Sequence, residues 1–150
     1  PSTGSVYGVT VVNGKAVALC VSEGRTFLYQ IDSFSSGECT FLGWIGGLNL
    51  SQGSTEFAYD AAEDRFYVTD ARNELYTFAM DDLYDGYLEV GTTPPIQDAE
   101  LIGPVGGGLN VTGFAIVNDA STALEVSAAA VPVSQPAAPV RELRPQTLAV

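Results

Sequence analysis

The chain has no histidine, one tryptophan, one methionine and two cysteines in 150 residues. Without imidazole there is no His-based triad, no His-ligated metal and no His acid–base chemistry. Basic residues are also scarce: six Lys and Arg face eighteen Asp and Glu, a formal net charge of −12. Such a surface repels phosphate, so nucleic acid and anionic membranes are not expected partners. No apolar run approaches the ~20 residues of a membrane-spanning helix, so membrane insertion is not expected either. No signal-peptide pattern is present and the chain begins with Pro1, which reads as a processed or excised segment of a longer precursor. Low Lys with abundant Gly, Ser, Thr and Tyr reads as a secreted or cell-surface composition.

What is present fits one globular domain with a usable core: hydrophobic residues make up 46% of the chain. The hexads "GGLNLS" (46–51) and "GGLNVT" (107–112) are nearly identical. Each is preceded by an apolar stretch containing Gly, "FLGWI" and "LIGPV", and followed by Phe-Ala, in "FAYD" and "FAIV". Further upstream stand "FLYQID" and "ELYTFAMD". Four elements therefore recur in the same order, which marks an internal repeat. Tyr29 and Tyr76 are 47 positions apart, whereas Gly43 and Gly103 are 60 apart. The difference is an insertion in the second copy, mostly "DDLYDGYLEVGTTPP".

Each unit reads as four short strands. "SVYGVTVV" and "KAVALCVS" flank Asn13-Gly14, the pair that best tolerates the positive φ angles of a type I′ hairpin turn. "RTFLYQIDSF" and "GECTFLGWIG" follow. The second unit runs "TEFAYD", "RFYVTDA", "ELYTFAMD" and "AELIGPVG", with turns at "AAED" and "RN". Alternation in "RFYVTD" and "ELYTFAM" is the period-2 pattern of strands with one inward face. No segment carries a stable helical stripe. The expected fold is all-β, with four-stranded antiparallel units stacked like β-propeller blades. Gly-Gly-Leu-Asn is expected to join an outer strand to the next inner strand.

The pattern "FAYD…RFYVTD…ELYTFAMD…ELIGPVGGGLNVTGFAIV" resembles the blade repeats of secreted bacterial β-propeller-like proteins of the Tyr-Val-Thr-Asn type, over about residues 6–120. The resemblance implies a surface or secreted repeat module used for scaffolding or binding, and it carries no catalytic residue across. The units expected are about 6–54 and 55–113, with the start of a third at 114–127. Two units and a beginning fall short of the ~4–8 blades of a closed propeller, so an incomplete ring is expected. From Ala128 onward the chain holds four of its eight prolines and many alanines, the composition of an extended arm or linker at 128–150. Arg141 and Arg144 would let this arm dock on an acidic neighbouring subunit.

Several residues invite a functional reading beside a structural one. Cys20 and Cys39 are either a disulfide or, for Cys20 in "AVALCV", a buried free thiol. Asp81, Asp82 and Asp85 supply hard oxygens at short spacing, as calcium needs, or form a solvated loop. "DDLYDG" departs from the EF-hand loop, with Leu83 at a ligand position. Tyr84 and Tyr87, beside Asp85, are candidates for glycan or protein contact, or for covering the loop's own small core. Trp44 is a binding candidate whose setting before Gly-Gly favours blade packing. Asn49-Leu-Ser51 and Asn110-Val-Thr112 match the N-glycosylation pattern, although equivalent places in a repeat account for both. No pair of carboxylates is marked out for glycosidase work. The expectation is a non-catalytic structural repeat module that assembles with protein partners, including its own copies, through sheet edges and the C-terminal arm. The alternative is a propeller-type domain that binds a glycan or protein through the 82–95 loop.

Overall fold

A computed structural model describes residues 4–89, 91, 93–108, 113–117 and 125–128. Among these, ten strands and two single-turn 3-10 segments occur, with no α-helix. Strands β1 (Ser5–Val12), β2 (Lys15–Ser22), β3 (Arg25–Ser33) and β4 (Glu38–Ile45) form an antiparallel meander in the order β1-β2-β3-β4. Strands β5 (Phe57–Asp60), β6 (Arg65–Thr69), β7 (Glu74–Ala79) and β8 (Glu100–Pro104) repeat that order in a second sheet. β9 (Phe114–Val117) and β10 (Glu125–Ala128) pair as a hairpin, the start of a third sheet. The all-β class and the four-stranded repeat units expected from the pattern are therefore present, arranged like blades of an incomplete ring. The residues from 129 to 150, including Arg141 and Arg144, lie outside the described residues.

The two sheets share a detail that a mere strand count would miss. Leu28 pairs with Gly43 and Tyr29 with Phe41, so Leu42 is an extra residue in β4. Leu75 pairs with Gly103 and Tyr76 with Leu101, so Ile102 is an extra residue in β8. Both bulges hinge on a glycine with nearly the same φ, 143° at Gly43 and 145° at Gly103. These angles are hostile to a side chain, which explains why glycine recurs opposite each Leu-Tyr pair. Residues 109–112, in the second Gly-Gly-Leu-Asn corner, lie outside the described residues.

The β1–β2 turn is the expected one: Asn13 and Gly14 have φ of 50° and 80°. In the second sheet the turns are built around buried carboxylates. Asp60 Oδ1 accepts the Ala62 N–H at 2.8 Å, and Asp70 Oδ1 accepts those of Arg72 and Glu74 at 2.8 and 3.1 Å. Each aspartate so caps a turn its own backbone could not satisfy.

The main core lies between the sheets. Val17, Leu19, Leu28 and Ile45 from the first meet Phe57, Phe66, Val68, Tyr76 and Phe78 from the second. Phe66 stacks between Phe57 and Phe78, with ring centroids at 5.4 and 5.1 Å. β1 packs on β5, and β5 on β9, so the first strands of successive sheets are neighbours. Close approach of β1 to β5 needs Gly8: a Cβ there would lie 2.7 Å from Phe57 Cβ.

Candidate interaction surface

A second, smaller cluster occupies the opposite face of the first sheet. Ala18, Cys20, Phe27 and Trp44 are buried there, with Tyr29, Ile31 and Phe41 packed around them. Phe27 meets Trp44 and Tyr29 edge-on, at centroid distances of 4.8 and 5.4 Å. The 80–98 segment between β7 and β8 covers this cluster. A 3-10 turn, Met80–Asp82, starts it, with Asp82 Oδ2 accepting the Ala79 N–H at 2.7 Å. Tyr84 then exchanges both backbone hydrogen bonds with Trp44, at 2.8 and 2.9 Å, on the outer edge of β4. Gly43 makes room, since a Cβ there would meet Leu83 Cβ at 2.7 Å. The segment returns past Gly46, whose N–H donates to Gln97 O at 2.8 Å and whose carbonyl accepts from Ala99 N–H at 2.9 Å. Tyr84, Leu88 and Ile96 rest on the aromatic cluster.

The candidate binding residues thus separate. Trp44 and Tyr84 come together, but as packing: Trp44 is buried and Tyr84 half-buried. Tyr87 stays 78% exposed, with Asp85 and Glu89 exposed beside it in sequence. Asp81, Asp82 and Asp85, offered by the sequence as either calcium ligands or a solvated loop, lie at the start of this segment. Among the described residues no three carboxylates or thiols converge as a metal site. Asp82 spends an oxygen on its turn, while Asp81 and Asp85 are exposed.

Of the two readings of the cysteines, the structure has the free thiols: Cys20 is buried and Cys39 exposed. They sit on β2 and β4 with β3 between, opposite Phe27 and Ile31 respectively. Two strand spacings amount to about 10 Å, beyond the Cα separation a disulfide spans. Burial, and next the nearby Cys39, pushes the Cys20 thiol above its ordinary pKa, so it is a poor nucleophile. Of the glycosylation patterns, Asn49 is exposed and its carbonyl accepts the Ala71 N–H at 2.9 Å. Asn110 and Thr112 lie outside the described residues.

One surface escaped the sequence reading. On β1, Val6, Val9 and Val11 are 55%, 53% and 63% exposed. Val6 pairs with Cys20, Val9 with Ala18 and Val11 with Ala16. Directly opposed residues share a face, so all three valines stand on the face that carries the aromatic cluster. The 80–98 segment covers the β3–β4 half of that face and leaves the β1 half open. β1 is also an edge strand, and it contains no charged residue and no proline. A plain alternation would have set Val6 on the side opposite Val9 and Val11. The extra residue Tyr7, between Val6 and Gly8 in the register, brings them to one side.

Compared with known proteins, the chain matches no family model, no curated protein and no solved structure. Among the described residues no helix is long and apolar enough to cross a membrane.

Proposed function

We propose that this chain is a non-catalytic structural repeat module of an extracellular or cell-surface assembly, a relative in kind of the secreted propeller-like repeats it resembles. It contacts neighbouring subunits through its sheet edges and its C-terminal arm. One observation carries the reading: each sheet hides its apolar side against the next, and the first sheet has a face only half hidden. Repeat modules of this kind gain their stability from neighbours, which favours assembly at an uncovered end. The arm would contribute through Arg141 and Arg144 on the acidic body of another copy. The test is size in solution, by light scattering, of the full chain and of a chain cut after Ala128, which keeps the β9–β10 hairpin. The expected result is an oligomer that shrinks on truncation, with the arm's share weakening as salt rises. An unchanged monomer in both cases overturns the reading.

The alternative, a domain that binds a glycan or protein through the 82–95 loop, is favoured by the exposure of Tyr87 beside Asp85. In that case Tyr87→Ala removes binding to a glycan array and leaves oligomeric size untouched.

A further inference from the structure

We infer that the bare half of the first sheet's outer face, centred on Val6, Val9 and Val11, is a docking surface for a second copy of this chain. The inference rests on the assembly reading above and names the face that does the work.

The valines do not form an isolated patch. They adjoin Ala18 and Cys20, which belong to the buried cluster under Tyr84, Leu88 and Ile96. An interface already built inside the molecule therefore runs on into open surface. The chain's own segment closes it over β3 and β4 and stops short of β1. The remaining half has the chemistry of an interface core: β-branched side chains in a row, and small residues, Ala16 and Ala18, behind them.

Charge selects the occupant. The chain carries −12 overall, yet β1 contributes no charge to that total. Two copies of like net charge repel, and a contact through an uncharged strand adds least to that repulsion. A two-fold contact of β1 against β1 of the other copy places the uncharged strands at the centre and the acidic surfaces at the rim. A basic partner would need acidic residues at the contact, and the strand offers none. The second copy presents the same valine row, so the fit is self-complementary. No lysine or proline guards this edge, although edge strands not meant to associate usually carry such protection.

Such a contact has an unusual response to salt. Screening removes the repulsion between two anionic bodies while leaving apolar burial intact. The dimer therefore tightens as salt rises, whereas an arm held by Arg141 and Arg144 loosens. The experiment is sedimentation velocity on the full chain over a concentration series, at low and near-molar salt. The variant is Val9→Glu combined with Val11→Glu. Both positions are exposed, so the fold should survive, and circular dichroism with thermal melting checks that it does. Phe34→Glu, at a residue 81% exposed in the β3–β4 turn, is the control.

The expected result is a dimer that tightens with salt, weakens at least about tenfold in the double variant, and is unaffected by Phe34→Glu. A dimer untouched by the double variant overturns the inference. If that same dimer falls apart on cutting after Ala128, the assembly reading survives without this face. A full chain that stays monomeric at every concentration and salt overturns both. Should the double variant lose its native melting transition, Val9→Thr with Val11→Thr replaces it: the shape is kept, one methyl at each site becomes a hydroxyl, and the dimer should weaken in the same direction.

Discussion

Tyr59 donates a hydrogen bond to the Asp64 carboxylate across the β5–β6 turn. That contact first, and burial second, pushes its pKa up to about 12. An unfolded tyrosine titrates near pH 10. Because the folded value is the higher, the contact's stabilisation is complete below about pH 10 and disappears as pH rises through about 12. A spectrophotometric titration of the native protein should therefore show a phenol that ionises near pH 12. Tyr59→Phe should remove it from the high-pH limb and flatten the loss of stability between pH 10 and 12. The opposite case is Asp32, whose carboxylate accepts from Thr40 and Gln30 and is held below the usual carboxylate range, chiefly by Thr40. Its contribution is present at neutral pH and fades only in acid. Being on the surface, it contributes little to stability.

At the scale of strands and turns, Gly8 shows how closely the sheets approach. A methyl group there would lie 2.7 Å from Phe57 Cβ, an atom fixed close to the backbone of β5. Gly8→Ala should cost about 1–3 kcal/mol in urea unfolding, by pushing β1 from β5 rather than by straining Gly8 itself. The strands were largely legible in the letters. Val- and Tyr-rich runs with alternation, cut by Asn13-Gly14 and Arg72-Asn73, lead directly to the meanders observed. The Gly43 and Gly103 equivalence was legible as a recurrence, though its cause, a bulge opposite each Leu-Tyr pair, was not. Asp60 and Asp70 were hidden for a plain reason: acidic residues at turns read as solvated, and only their burial shows that they serve backbone N–H groups. The valine face was hidden because a bulge at Tyr7 breaks the period on which face assignment depends. Tyr84 and Trp44 were each legible as candidates. Their pairing was not, since the two residues lie on different repeat units and meet only through the fold.

For the molecule as a whole, the two sheets form one core, so damage to one should be felt in the other. Phe66 is fully buried in the second sheet and stacks on Phe57 and Phe78. Phe66→Ala should destabilise by about 3–5 kcal/mol. Cys20, buried in the first sheet, reports on whether the effect crosses over. In the native protein a thiol reagent should label Cys39 fast and Cys20 slowly. In Phe66→Ala the labelling of Cys20 should accelerate along with the fall in stability. If only the second sheet loosens, Cys20 keeps its protection and the units are thermally independent.

The 80–98 segment belongs by sequence to the later unit and by contact to the earlier one. During synthesis, β1 to β4 can pair with one another once Ile45 has left the ribosome. The Phe27 and Trp44 rings, however, must wait for Tyr84, Leu88 and Ile96 to emerge before they are shielded. A nascent chain halted between those points exposes a ready-made sticky plate, so the order of translation sets a window in which a chaperone has something to hold.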